Sequence, residues 1–252
     1  MGHRRKGYFK EFWRRFISSR LVVFIIMEWI ILDHYISGIR TFSAYVNYPS
    51  SPWLLPFLTS DLYFMFLYGV AIIYFYSEVP FTERSEMYVV ARCGRKKWVK
   101  NKLFYIWQSA IFLVLLLFFI CIGLLLPNIE LSGDWGKLIY TLASTDTGGI
   151  EVVLRCYYYI VANYSMAKAM CLTCVELFLI TGMTGTLMFA ISIFNCRMLV
   201  IFLPMVLATL SIVAYNRVGY FVSFFAPFLW SDFLVLSSLV MILLMKNIRN
   251  YY

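Results

Sequence analysis

Two acidic residues inside long apolar runs are the groups in this sequence best suited to chemistry. Glu28 lies eight positions after Arg20, and Glu176 lies eight positions after Lys168. In a helix this spacing puts each carboxyl about 12 Å inside its run, near the middle of a bilayer core about 30 Å thick. Such a carboxyl must face protein or water. The two residues are candidates for a translocation lining or an ion-coupling pair. The alternative, which we favour, is a carboxyl hydrogen-bonded to Ser, Thr or Tyr where helices meet.

The sequence contains few of the residues and motifs that enzymatic catalysis requires. The sequence contains no H-E-x-x-H, G-x-S-x-G or G-x-x-x-x-G-K-[ST] motif, and its only histidines are His3 and His34. Cys171 and Cys174 form a CxxC on one helix face, but no further ligand accompanies them, so helix packing explains them better than a metal or redox site. We therefore expect no catalytic site, cofactor or metal on this chain. If ATP drives the protein, a partner must bind the ATP and Mg.

The elements that must position these residues are membrane spans. The 252 residues are 62% hydrophobic, 19% aromatic and only 14% charged, with a mean hydropathy of +0.77, as expected for an integral membrane protein. The fold class is therefore all-α, with residues 1–252 forming one polytopic transmembrane domain of six helices. The predicted spans lie near 17–37, 56–77, 103–126, 169–194, 198–215 and 224–245.

The distribution of positive charge predicts the orientation. Of the 22 Lys and Arg residues, 17 fall in the N-terminal segment, the 78–102 loop, Arg197 and the C-terminal tail. Because positive residues accumulate on the cytosolic side, we predict a multi-pass protein of the cell membrane with both termini cytosolic. The net charge of +9 then reflects topology and anionic lipids, with no nucleic-acid partner. Residues 1–16 are predicted to form an amphipathic interfacial helix, and 127–168 an extracellular segment with short helices.

Small residues recur in TGMTGT, residues 181–186, within the fourth predicted span. Thr181 and Gly185, like Gly182 and Thr186, are spaced so that helix backbones can approach closely. We predict a packing face, either within the chain or between subunits. Before the last span, Pro227 lies in the long apolar run 216–232, which could enter the membrane as a re-entrant element.

The 78–102 loop is far longer than a helix hairpin needs. In its stretch FTERSEMYVVARCGRKKW, residues 81–98, Thr82 is placed to cap a helix whose first turn carries acids, and Gly94 is placed to end it before a basic run. The basic run alone could be a topology signal. The capped, acidic half requires another reason, and a short rigid helix could fit a groove in a motor protein.

This arrangement resembles the membrane subunits of type-two ABC exporters. The phrase R-x-G-R-K-K-W, following VPF-x-x-R-S-x-M-Y, is similar to uncharacterised small permeases of Gram-positive bacteria. The resemblance implies that 81–98 is the coupling helix, that two ABC ATPase subunits bind it, and that a second permease copy or paralogue completes a dimer. The substrate would be an amphipathic peptide, lipid or drug. The implied ATPase-coupling residues are Thr82, Glu83, Arg84, Glu86, Met87, Val90, Arg92, Gly94 and Arg95.

A second class of function stays open. The chain could work without a motor, as a secondary transporter coupled to ions through Glu28 and Glu176, or as an immunity protein that sequesters a bacteriocin. Association with an ATPase distinguishes these alternatives from the exporter.

Overall fold

The computed structural model of the protein is helical. It describes residues 16–78, 90–92, 94–126, 129–130, 133–144, 152–193, 200–202 and 205–206. The helices are α1 (Ser19–Val46), α2 (Leu55–Thr59), α3 (Leu62–Tyr76), α4 (Arg95–Leu125), α5 (Lys137–Ser144), α6 (Tyr158–Asn163) and α7 (Met166–Ile193). No strand forms within these residues, and an isolated bridge pairs Ser50 with Ile129.

Three of the helices are long and apolar enough to cross a membrane. They are α1 with 28 residues, α4 with 31 and α7 with 28. At 1.5 Å per residue each exceeds 40 Å, which is more than a hydrocarbon core of about 30 Å requires. These helices identify a membrane-embedded protein. The apolar segments predicted near 17–37, 103–126 and 169–194 coincide with these three helices, each of which extends past the predicted bounds at one or both ends.

Helix α1 continues nine residues past its predicted end at residue 37. Its buried face extends through Ile39 to Ser43, so packing rather than hydropathy sets its length. The helix ends at Asn47, whose φ of 54° is left-handed. The Tyr48 N–H donates to the Ser43 carbonyl at 3.1 Å, which closes a Schellman motif and satisfies an end carbonyl.

The segment predicted as the second span, 56–77, is broken. Helix α2 ends at Thr59, and α3 starts three residues later because Asp61 caps it. One Asp61 carboxylate oxygen accepts hydrogen bonds from the N–H groups of Tyr63 at 2.8 Å and Phe64 at 3.1 Å. With 15 residues, α3 covers about 22 Å, less than a full hydrocarbon core.

The chain divides into two compact units. The first comprises Met1–Ile25, Gly69–Phe112 and Leu179–Tyr252, and the second Ile26–Tyr68 and Leu113–Phe178. Aromatic rings form part of each core. In the first unit, the Phe16 ring lies 5.8 Å from Phe75 and 5.6 Å from Phe112. In the second, Phe57 lies 5.3 Å from Trp135.

Several predicted elements lie outside the described residues. These are the interfacial helix except Phe16, most of the fifth span, all of the sixth span near 224–245, and the re-entrant run 216–232. Of the fifth segment, residues 200–202 and 205–206 are described and helical. Within 127–168 the described elements are the short helices α5 and α6.

Candidate functional site

Gly94 joins a helical segment to the long helix α4. Residues 90–92 are helical, and the Gly94 N–H donates to the Val90 carbonyl at 2.9 Å. The Gly94 carbonyl accepts from the Trp98 N–H at 3.2 Å, so the same residue begins α4. Its φ of +79° is left-handed, a conformation that suits glycine. One glycine is therefore hydrogen-bonded both to the helical segment 90–92 and to the first turn of α4.

The basic run belongs to α4 itself. The span was predicted to start at 103, but α4 begins at Arg95 because Arg and Lys are good helix formers and neither Gly nor Pro interrupts them. At about 46 Å, the helix is roughly 16 Å longer than a hydrocarbon core, which leaves its basic start outside the apolar layer. Movement of the preceding segment would pass directly into a spanning helix.

The structure describes four of the nine predicted coupling residues. Val90 is half-buried, whereas Arg92, Gly94 and Arg95 are exposed. The capped acidic half lies outside the described residues, so its helix stays a prediction; its members are Thr82, Glu83, Arg84, Glu86 and Met87.

A buried tyrosine connects α3 to α4 in the first unit. The Tyr76 hydroxyl lies 3.1 Å from the Ile106 carbonyl and 2.8 Å from the Ser109 Oγ, and both side chains are fully buried. A hydroxyl in an apolar layer stabilises a helix contact by bonding across it. Sequence reasoning missed this pair because only acids were singled out. The signal was present as isolated polar residues within the second and third apolar runs.

The small residues of α7 pack against the same region. A Cβ added to Gly182 would lie 2.8 Å from the Trp107 ring, and one added to Gly185 would lie 2.6 Å from the Ile106 Cγ2. A side chain at either position would force its neighbour on α4 to shift, so the glycines allow α7 to approach α4 closely. Of the two interpretations of TGMTGT, packing within the chain is the one observed. Trp98, four residues after Gly94, also lies 5.7 Å from Phe189 of α7.

Arg20, in the first turn of α1, reaches the end of α3. Its guanidinium donates to the Ser77 Oγ and lies 3.4 Å from the Tyr74 carbonyl. It also pairs with Glu78 at 2.9 Å and lies 5.8 Å from the centre of the Tyr74 ring. From the sequence, Arg20 marks the cytosolic end of the first predicted span and the point from which the depth of Glu28 is measured. Its partners lie more than 50 positions away, where no local pattern could indicate them.

Glu28 lies in the middle of the buried face of α1. It is 0% exposed, as are Phe24 one turn before it and Leu32 one turn after it. Neither of its oxygens has a hydrogen-bond partner among the described residues. The favoured expectation, a carboxyl bonded to Ser, Thr or Tyr, is therefore not met within the described residues. Burying a polar group without a partner costs about 1–3 kcal/mol, which makes Glu28 an unusual core residue.

Glu176 differs from Glu28. It lies on α7 within the same unit and is only half-buried. Because Glu28 has no partner in the described part of the chain, the structure does not join the two carboxyls by a hydrogen bond. Asp33 and Asp61 are both paired, the first with Arg40 and the second as the cap of α3 and acceptor of the Tyr35 hydroxyl at 3.1 Å. Glu28 is thus the buried acid without a partner in the described spans.

The cysteines show no sign of a metal site in the residues that are described. Cys171 is exposed, Cys174 is half-buried, and both are free. No group of three His, Cys, Asp or Glu side chains in this part of the chain could hold a metal ion. In the loop before α6, burial raises the pKa of the Cys156 thiol to about 12, which keeps it protonated and unreactive.

The segment before α5 is anchored in the second unit by Trp135. This side chain is 3% exposed, and its indole N–H donates to the Tyr164 carbonyl at 3.0 Å. Nearby, the Lys137 ammonium lies 5.4 Å from the centre of the Tyr48 ring, and a hydrogen bond with Tyr48 raises the pKa of Lys137. The Glu130 N–H donates to the Ser50 carbonyl at 3.0 Å. These contacts attach the predicted extracellular segment to the 47–60 connection.

Comparison with known proteins identifies no family for this chain. No protein-family model, curated protein or solved structure matches the chain.

Proposed function

We propose that this chain is the permease subunit of a type-two ABC exporter, with both termini in the cytosol and two ATPase subunits on separate chains. The observation that carries the proposal is the Gly94 junction. A segment that resembles a coupling helix ends at Gly94, and the same residue starts a 31-residue spanning helix. A membrane subunit driven by an external motor needs such a direct connection between its contact with the motor and a span.

The packing around α4 supports this function. In the first unit, α3 contacts α4 through the Tyr76 hydroxyl, and α7 contacts it through Gly182 and Gly185. A force applied at 81–98 would therefore act on α4 and, through these contacts, on α3 and α7, which would tilt the cavity at the interface with a second permease copy. Because the described helices offer mainly aromatic, aliphatic and methionine side chains, an amphipathic peptide, lipid or drug is the substrate class that fits.

Association with a motor tests the proposal. The chain is expressed with any ATPase that is encoded beside its gene and is purified through a tag on the permease. We expect the ATPase to co-purify, and its rate of ATP hydrolysis in lipid nanodiscs to differ from that of the ATPase alone. Absence of any associating ATPase would contradict the function.

Gly94→Pro is expected to uncouple the permease while leaving it in the membrane. Proline cannot adopt a φ of +79°, and it has no N–H to donate to the Val90 carbonyl. Transport and the ATPase response should therefore fall strongly, with membrane expression retained. Gly94→Asn is the matched control, since asparagine tolerates the left-handed region and should keep most of the activity. Full activity of Gly94→Pro would show that Gly94 does not transmit motion from the preceding segment to α4.

The buried carboxyl of Glu28 favours a second candidate, an ion-coupled transporter that needs no motor. A fully buried acid without a partner in the described residues is typical of an ion pathway. The two functions differ in what Glu28→Gln does. The exporter should retain ATP-driven transport, whereas an ion-coupled transporter should lose transport in proteoliposomes driven by a proton or sodium gradient alone.

Glu28→Leu tests whether the buried carboxyl of Glu28 stabilises the fold. Because leucine removes a buried polar group without a described partner, we expect the free energy of unfolding to rise by about 1–3 kcal/mol. Glu176→Leu is the control, and its gain should be smaller because Glu176 is only half-buried. Denaturant unfolding in detergent measures both. A loss of stability in Glu28→Leu would show that the carboxyl has a stabilising partner.

A further inference from the structure

The contacts of Arg20 connect two elements that the chain keeps far apart. Arg20 belongs to the first turn of α1, and its acceptors are Tyr74, Ser77 and Glu78 at the end of α3. The guanidinium has several N–H donors in one plane, so it can serve a carbonyl, a hydroxyl and a carboxylate at once. Lysine also has three N–H donors, but they lie on one nitrogen and do not form this planar fork.

The carboxyl end of α3 needs a positively charged hydrogen-bond donor such as the Arg20 guanidinium. The last carbonyls of a helix lack intrahelical donors, and the helix dipole makes that end negative. The Ser77 N–H and hydroxyl already bond to the Tyr74 carbonyl, at 3.2 and 2.7 Å. Arg20 adds a positive charge from a different helix, which caps α3 and ties it to α1.

Stability alone does not explain the ion pair. The Glu78 side chain is 57% exposed and that of Arg20 is 24% exposed, and pairs this accessible contribute little to folding. The contacts of Arg20 with Tyr74, Ser77 and Glu78 instead fix a position: they hold the end of α3 against the start of α1. Glu78 also lies three positions before residue 81 in the chain, so Arg20 contacts α3 at the end from which the chain continues to 81–98.

The other arginine of α1 that forms an ion pair makes a useful contrast. Arg40 pairs with Asp33, and both side chains are nearly half exposed. Both residues belong to α1, so that pair joins no second element. Arg20 and Arg40 therefore share a helix and a type of partner and differ in whether the pair connects two helices.

We infer that Arg20 is a positioning residue that links α1 to the end of α3, so that motion imposed on the 81–98 stretch that follows α3 in the chain reaches α1 as well as α4. The inference rests on the proposed function, because the motion comes from the ATPase. Force has two routes from 81–98: forward through Gly94 into α4, and back through Glu78 and Arg20 into α1. Without Arg20, only the forward route and the covalent connection to α3 remain.

Amide hydrogen exchange of the permease–ATPase complex in nanodiscs tests this without a transport substrate. Exchange is compared without nucleotide and with ATP plus vanadate. In the wild type we expect nucleotide to change exchange by about fivefold or more at both 17–24 and 90–98. In Arg20→Gln the change at 17–24 should fall within about twofold, while that at 90–98 persists. Glu78→Gln should reduce the change at 17–24 in part, and Arg40→Gln should leave both changes intact.

The possible outcomes separate the inference from the proposed function. If no ATPase co-purifies, or nucleotide changes neither segment in the wild type, the proposed function fails. If the wild type responds at 90–98 but not at 17–24, or Arg20→Gln responds fully at 17–24, the inference is overturned and the exporter stands. Loss of both responses in Arg20→Gln, with a matching loss in Arg40→Gln, would also overturn it by showing a general role of α1. If Arg20→Gln does not assemble, a full response of Glu78→Gln at 17–24 overturns it.

Discussion

Gly185→Val is expected to lower the free energy of unfolding by about 1–3 kcal/mol or more, because it overfills the contact between α7 and α4. A Cβ at this position would lie 2.6 Å from the Ile106 Cγ2 and 3.1 Å from the Tyr76 ring. The Ile106 side chain could rotate away. The Tyr76 ring has less freedom, since its hydroxyl is bonded to the Ile106 carbonyl and Ser109, so relief of the clash would break buried hydrogen bonds.

Denaturant unfolding in detergent measures this effect, and Gly123→Ala is the matched control. Gly123 is also in a spanning helix, but a Cβ added there meets nothing within 4 Å. Alanine should leave stability unchanged or raise it by up to about 1 kcal/mol, since it favours the helix. Equal stability of Gly185→Val and the wild type would mean that α7 does not approach α4 this closely.

Trp135→Ala is expected to cost about 3–5 kcal/mol in the second unit, the range for removing a buried aromatic side chain. The indole is 3% exposed and lies 5.3 Å from Phe57. Its N–H also donates to the Tyr164 carbonyl, which would lose its partner. Trp135→Phe separates the two contributions: it keeps an aromatic ring and should cost only about 0.5–1.5 kcal/mol for the hydrogen bond, together with some lost packing.

The control for Trp135 is another tryptophan on a helix surface. Trp29 of α1 is 48% exposed, so Trp29→Ala should change the free energy of unfolding much less. Limited proteolysis of 127–168 gives a second measurement, because detachment of this segment should speed its cleavage in Trp135→Ala only. If both alanine variants behave alike, Trp135 is not an anchor.

The spanning helices could be predicted from the sequence because a bilayer leaves few choices. Backbone polar groups must be satisfied within the chain, so a long apolar run becomes a helix. Helix ends follow other rules. The end of α1 depends on a left-handed Asn47, and the start of α4 on Gly94. Neither is visible as a change in hydropathy, which is why the predicted ends differ from the observed ones by several residues.

The candidate site was predictable only in part. Gly94 could be recognised because glycine before a basic run has a clear local meaning. Arg20, Tyr76 and Gly185 could not be placed, because each acts through a partner distant in sequence and composition does not reveal distant partners. The break at Asp61 has a different, local cause: Asp61 accepts hydrogen bonds from residues two and three positions later, within a run that hydropathy alone assigns to a single span.

The length of α4 has a mechanical consequence. Ser109, where Tyr76 holds the helix, lies 14 residues from its start at Arg95 and 16 from its end at Leu125. These distances are about 21 and 24 Å, so the attachment point acts as a fulcrum near the middle of a stiff rod. A sideways push of a few ångströms at the basic end would swing the far end by a similar amount in the opposite direction. In the proposed exporter, a displacement applied at the basic end would thus reach the far end of α4 at about the same size and with its sign reversed.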